Sequence, residues 1–210
     1  MTRTSPLEQS QYLTEVKAQY EDLPYPARNP EDDLNRILHT GDFLDTVNHY
    51  CYGGKKEFTH NFRALIAGGG TGDAMIFLAE QLRYCNAEIV YLDFSAASMQ
   101  VAQARAKIKG LNNVIWIRNS LLELPNLDIG KFDFINCVGV IHHLENPAAG
   151  LRALQHVLKE DGVISLMVYA KYGRLSVYHM QDLMKLYNCD VTDKAEKIDN
   201  CKRMIAALPP

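Results

Sequence analysis

The stretch "RALIAGGGTGDAM", Arg63 to Met75, places four glycines within five positions, Gly68 to Gly72, directly after a short apolar run. Glycine gives up side-chain packing and costs conformational entropy on folding. A cluster this dense marks backbone that must turn tightly or be approached closely. The run before it, Arg63–Ala67, has the length of a strand, and Gly72–Tyr84 after it carries apolar residues at helical spacing. In a strand, glycine turn and helix of this kind, the helix N-terminus and the turn face one point beyond the carboxyl end of the strand.

The alternation continues outward from that unit. Glu88–Leu92, Val114–Arg118, Phe132–Val138 and Val163–Tyr169 read as strands, and Ala96–Lys109 and Pro147–Lys159 as helices between them. Several strands are apolar throughout, as expected when both faces of a sheet are covered. The pattern predicts an α/β fold, a Rossmann-like open parallel sheet with right-handed crossovers. Upstream, Leu7–Tyr20 reads as a helix with Ser5 as N-cap and Pro6 at its first position. The three prolines of "EDLPYPARNPEDD" break it. Asp32–Leu38, ended by Gly41, and Phe43–Tyr52, closed by Gly53-Gly54, read as further helices. Downstream, Ser176–Tyr187 and Ala195–Ala207 have helical spacing.

The glycine spacing narrows the ligand. A dinucleotide fingerprint needs G-x-G-x-x-G. Its third glycine falls on Asp73 or Met75, depending on register. A phosphate-cradling P-loop needs G-K-[ST], and Gly72 is followed by Asp73-Ala74. The spacing present is G-x-G-x-G: Gly68, Gly70, Gly72. The second strand ends in "EIVYLDFS", which puts Asp93 at its carboxyl end, about 20 residues past the glycines, where a carboxylate can accept from both ribose hydroxyls. The competing role for Asp93 is to cap the helix that starts near Ser95. Phe94 is placed to lie against an adenine face.

Composition sets limits on this reading. The chain has 210 residues, 47% apolar and 22% charged, with net charge −3. That suits one domain of ordinary size with a buried core. It argues against a broad nucleic-acid-binding surface, while leaving room for a local basic patch. There is no apolar run of about 18 residues to span a membrane. The N-terminal "MTRTSPLEQSQYL" is too polar for a signal peptide. The five cysteines are scattered and form no C-x-x-C pair, which suits reduced thiols in a cytoplasmic protein.

Taken together, "LIAGGGTGD", "YLDFSAASMQVAQAR", "IRNSLLELP", "FDFINCVGVIHHLENP" and "LQHVLKEDGVISLMVY" make Phe62 to Tyr169 resemble a class I S-adenosylmethionine-dependent methyltransferase. The motifs stand in the family's order and spacing over about half the chain. "VKAQYEDLPYPAR" (Val16–Arg28) and "YAKYGRLSVYHMQ" (Tyr169–Gln181) are similar to segments of a bacterial group often joined to tetratricopeptide repeats. No such repeats stand in this sequence.

The resemblance implies S-adenosylmethionine as cofactor. It places Ala67, Gly68, Gly69 and Gly70 along the methionine part, with Gly72 also in the cofactor site, Asp93 on the ribose and Phe94 beside the adenine. It implies that Asn119 accepts from the adenine amino group, with the Ser120 or Leu121 amide on a ring nitrogen. Cys137 and Val138 offer backbone carbonyls to the ammonium. Many members carry an acid two positions before the first glycine; here Ile66 stands there, with Asp73 as a possible substitute. His142 is the candidate general base, since imidazole titrates near neutrality. The alternative is that His142 and His143 only fix their loop. No metal is implied, because adjacent imidazoles rarely converge on one ion. Methyl transfer needs an acceptor held in line and shielded from water more than it needs a catalytic dyad.

The reading divides the chain into a helical extension or lid (1–61), in which Tyr20, Tyr25 and Arg28 are candidates to line the cleft, a cofactor-binding domain (62–170) and a C-terminal helical segment (171–210). The family's last two strands form an antiparallel hairpin, and no segment for it is recognisable before the final "ALPP". The expectation is therefore an N-terminal portion of a longer protein, or a shortened relative. Two other functions use the same fold. One is a cofactor-binding regulatory domain without turnover. The other is an aminopropyltransferase, disfavoured because "VGVIHHLENP" lacks an Asp-rich loop to grip an amine. The acceptor expected for a methyltransferase is a small molecule or a protein side chain; nothing in the sequence specifies an oligomeric state.

Overall fold

The computed structural model describes residues 18–208. Most of the helix expected at Leu7–Tyr20 lies outside them; residues 18–22 are helical. The chain forms two compact units, Met1–Val168 and Tyr169–Pro210.

The first unit is built on five parallel strands, β1 (His60–Ala67), β2 (Asn86–Asp93), β3 (Val114–Arg118), β4 (Phe132–Val138) and β5 (Leu158–Met167). Their order across the sheet is β3-β2-β1-β4-β5. The helices in this unit are α1 (Leu44–Tyr52), α2 (Asp73–Gln81), α3 (Ala96–Lys109) and α4 (Pro147–His156). The order runs outward from β1 in both directions, so a topological switch point lies between β1 and β4.

Alternation along β1 builds two cores. Ala64 and Ile66 join Phe134, Tyr91 and the α2 residues Met75, Ile76 and Leu78 on one face. Leu65 and Ala67 join Ile135, Cys137, Leu92 and the α4 residues Ala153 and Leu154 on the other. This is why the central strands read as continuous apolar runs. Local signals set the helix ends. The Ser95 hydroxyl accepts from the Ser98 amide at 3.1 Å to open α3, and Gly110 closes it in the left-handed conformation. Pro147 sits at the start of α4 behind an Asn146 cap.

Several boundaries differ from the sequence reading. Asp32–Leu38 is not an α-helix: a 3-10 turn spans Pro30–Leu34 and the chain then leaves it. Asp33 is instead drawn into a buried ion pair with Arg105 of α3. α4 stops at His156, and β5 begins at Leu158, with a register shift between its Phe132↔Leu158 and Phe134↔Val163 pairs. The polar "KED" stretch of this strand hid it from a search for apolar runs. β5 also ends at Met167, two residues short of the predicted Tyr169.

At the amino ends of the strands, Asp133 is buried between two lysines. Lys56 and Lys159 each reach its carboxylate at 2.7 Å, and the Arg63 amide donates to it at 2.9 Å. Burial alone would raise the Asp133 pKa, but these donors outweigh it and hold the group below its ordinary value. A lowered folded-state pKa gives stability that is present above the unfolded value, about 3.9, and is lost as pH falls through the folded value. Asp133→Asn is therefore expected to lower the thermal midpoint most at neutral pH. The gap to wild type should close in acid below about pH 4; a gap independent of pH would refute the linkage.

The second unit holds α5 (Leu175–Tyr187) and α6 (Lys194–Ala206). They are joined through Asn200, whose side chain donates to Asn188 Oδ1 at 2.9 Å. The Arg174 guanidinium lies 3.6 Å from the centre of the Tyr169 ring.

Candidate cofactor-binding site

The glycine turn is fastened to the end of the neighbouring strand. The amides of Gly68 and Gly69 both donate to the Leu92 carbonyl, at 2.8 and 3.1 Å. One residue on, the Asp93 carboxylate accepts from the Gly70 amide at 2.8 Å and from the Ser95 amide at 2.8 Å. The Asn119 amide, at the end of β3, donates to the Asp93 carbonyl at 3.1 Å. On the other flank, Val140 of the turn after β4 packs against Gly68. The predicted residues of four strands thus meet along one edge, at the carboxyl ends of β3, β2, β1 and β4.

What the glycines provide is now visible. A side chain on Gly69 would collide with the Tyr91 ring, and one on Gly70 would stand 2.8 Å from the Tyr25 carbonyl oxygen. Gly70 is also in the left-handed region at φ +51°. Tyr91 was not singled out in the sequence, although it lies two residues before Asp93 on the opposite strand face from Leu92. Its ring lies beneath Gly69, its hydroxyl donates to the Gly70 carbonyl at 2.5 Å, and Trp116 packs on it with centroids 4.9 Å apart.

The segment before β1 lies over this turn. The Thr71 hydroxyl donates to the Pro26 carbonyl at 2.6 Å. Glu21 accepts from the Ala96 and Ala97 amides at the start of α3, at 2.8 and 3.0 Å, where helix N-termini favour anions. Tyr20 meets Phe94 edge-on at 5.9 Å. Arg28 grips Asp73, whose carboxylate also takes Arg105 at 2.7 Å. These guanidinium bonds outweigh burial and keep the Asp73 pKa below its usual value. Asp73 therefore does not stand in for the acid missing at Ile66: both its oxygens hold arginines. Arg28 likewise faces Asp73 as a latch.

Asp93 is the opposite case. It is 7% exposed, and burial raises its pKa, partly offset by the Ser95 and Gly70 amides. No arginine or lysine pairs with it among the described residues. The role of helix cap falls to Ser95, which Asp93 orients through its amide.

The remaining predicted residues are placed as follows. Asn119 Oδ1 accepts from the Ser120 amide at 2.8 Å, so that amide is already engaged, and the Ser120 hydroxyl caps the 3-10 turn that Leu121 opens. Cys137 has its side chain in the α4-side core, where burial pushes the thiol pKa up to about 12. Only its backbone can serve a ligand. Val138, the last residue of β4, is exposed. His142 lies in a 3-10 turn, Ile141–His143, with its ring 4.1 Å from that of His143.

A sheet of this order, with a glycine turn clasped by an acid from the next strand, matches the Rossmann-like fold of class I S-adenosylmethionine-dependent methyltransferases. Residues 65–164 match the family described as methyltransferase domain. The chain is 30% identical over 105 residues to a ubiquinone biosynthesis O-methyltransferase of Glaesserella parasuis (49% of this chain, 43% of that protein). It is 31% identical over 114 residues to the tRNA 5-carboxymethoxyuridine methyltransferase of Escherichia coli K12 (54% and 42%). The solved structure of PKMT2 from Rickettsia typhi in complex with AdoHcy shares the fold, with a TM-score of 0.59 and 19% identity over 80% of this chain and 32% of that one. The chain spans about two fifths of the length of the first curated relatives it matches.

The residues suit the cofactor of this class. The Asp93 oxygens accept from the Gly70 and Ser95 amides, and a carboxylate offers further lone pairs to a hydroxyl. Gly70 keeps its backbone clear where any Cβ would intrude. All five cysteines are free thiols. No helix among the described residues is long and apolar enough to cross a membrane.

Proposed function

We propose that this chain carries the cofactor-binding part of a methyltransferase that moves a methyl group from the S-adenosylmethionine sulfonium to an acceptor by in-line displacement. The observation that carries the proposal is the Asp93 carboxylate. It is buried at the carboxyl end of β2, bonded to the glycine turn and without a cationic partner among the described residues.

The cofactor supplies an already activated methyl group, so the protein's work is to bind, orient and exclude water. In this reading Asp93 takes the ribose hydroxyls, and the backbone from Ala67 to Gly72 lies along the methionine part. Phe94 packs on the adenine, Asn119 and the Leu121 amide address its edge, and the Cys137 and Val138 carbonyls face the ammonium. His142 accepts the acceptor's proton where one must leave. In this division residues 1–61 are the cover, 62–170 the cofactor-binding domain and 171–210 a helical segment, residues 1–17 and 209–210 lying outside the described residues. The net charge of −3 favours a small-molecule or protein acceptor over an extended RNA surface.

The test is calorimetric titration of the 210-residue chain with S-adenosylhomocysteine, followed by incubation with cofactor labelled in its methyl group. Micromolar binding with label transferred to an acceptor fraction is the expected result. Binding with no transfer to any acceptor fraction would favour a regulatory domain. A folded chain that does not bind would refute the cofactor assignment.

A further inference from the structure

Two buried carboxylates in the first unit lack a cationic partner among the described residues. One is Asp93. The other is Asp42, which is 5% exposed. The buried Asp33 and Asp133 are each paired with arginine or lysine. Asp42 is held only by neutral donors: the Asn136 amide of β4 at 2.5 Å and the Ser165 hydroxyl of β5 at 2.6 Å. Its backbone is pinned as well. Gln81 of α2 donates to the Asp42 carbonyl at 3.0 Å and accepts from the Leu44 amide at 2.9 Å. The charge is therefore built into a fixed place and not left on a mobile loop.

That place is defined by the sheet. Asn136 pairs in register with Ile66, two residues before Gly68, and directly precedes Cys137 and Val138. A buried anion without a counter-ion is costly, and it attracts any cation that can reach the same low-dielectric region. Ile66 itself brings no charge and is 1% exposed. On the β4 side of the glycine turn, the fixed negative charge thus comes from the segment preceding α1 and reaches the sheet through Asn136.

We propose that Asp42 is a positioning residue for the ammonium group of the bound ligand, acting with Asn136 to set the cationic end of the site. This rests on the cofactor assignment made above and goes beyond it, because it names the source of charge at that end.

The test compares two probes on the full chain by calorimetry. S-adenosylhomocysteine carries the α-ammonium; 5′-methylthioadenosine has the same nucleoside and thioether and no amino acid. Asp42→Asn is expected to weaken S-adenosylhomocysteine about tenfold and to change 5′-methylthioadenosine less than threefold, the tenfold loss corresponding to about 1.4 kcal/mol. Ser165→Ala keeps the charge while removing one of its donors, and should retain most of the wild-type preference for S-adenosylhomocysteine. Equal losses for both probes in Asp42→Asn would reduce Asp42 to a packing role, and no loss for either would remove it from the site; each overturns the proposal. A wild-type chain that is folded and binds neither probe refutes the cofactor assignment itself, and this inference with it. If Asp42→Asn does not fold, the preference is read from Ser165→Ala alone, and its collapse to parity overturns the proposal.

Discussion

Arg105→Met is expected to cost about 3–5 kcal/mol of unfolding free energy, the range for breaking a buried ion pair from one side. Arg105 is 1% exposed in the middle of α3. It donates to Asp33 at 2.5 and 3.2 Å, to Asp73 at 2.7 Å and to the Thr71 carbonyl at 2.9 Å. Methionine fills similar space and leaves Asp33 charged, buried and unpaired. A domain of ordinary stability holds 5–15 kcal/mol, so the loss is a large fraction of the whole. Urea unfolding measures it. Adding Asp33→Ala to Arg105→Met should recover part of the loss, because the stranded charge is removed. A loss below about 1 kcal/mol would mean that water reaches Asp33 and the pair is worth no more than a surface one.

The second large effect concerns ligand affinity. Asp93→Ala should weaken S-adenosylhomocysteine by about 100-fold or more, since hydrogen bonds to a charged group are worth roughly 1.5–3 kcal/mol each. Alanine also strands the Gly70 and Ser95 amides, so part of any loss would come from a loosened turn. Asp93→Asn separates the two contributions, because its single carbonyl oxygen keeps one of those amides satisfied. If Asp93→Asn binds like wild type, the residue is a clasp for the turn and nothing more. The pH dependence is a further check. Burial holds the Asp93 pKa above its ordinary value. Affinity should therefore begin to fall at a higher pH on acidification than an exposed aspartate would give.

The elements bounded by local signals were legible in the sequence. β3, β4 and α3 have the predicted limits, because their apolar runs and the Ser95 and Gly110 signals are local. The residues placed at the strand ends were legible for the same reason: each lies at the end of an apolar run or a few positions beyond it. What escaped depends on partners far away in the chain. Asp32–Leu38 has helical spacing, but Asp33 is bonded to a residue 72 positions on. Asp42 reads as an ordinary loop acid, and only the pairing of β4 with β5 brings Asn136 and Ser165 to it. Tyr91 looked like one more apolar strand residue. Its contact with Gly69 could have been suspected only by asking what stands where the glycine has no side chain.

The packing of Trp116 on Tyr91, and of Tyr91 beneath Gly69 with its hydroxyl on the Gly70 carbonyl, has a practical consequence. The chain contains a single tryptophan. Its emission is therefore a label-free optical reporter, wired through one aromatic ring to the backbone that a ligand would press upon. Binding at the turn is expected to change that emission, with no dye and no engineered probe, and a fluorescence titration with S-adenosylhomocysteine measures it.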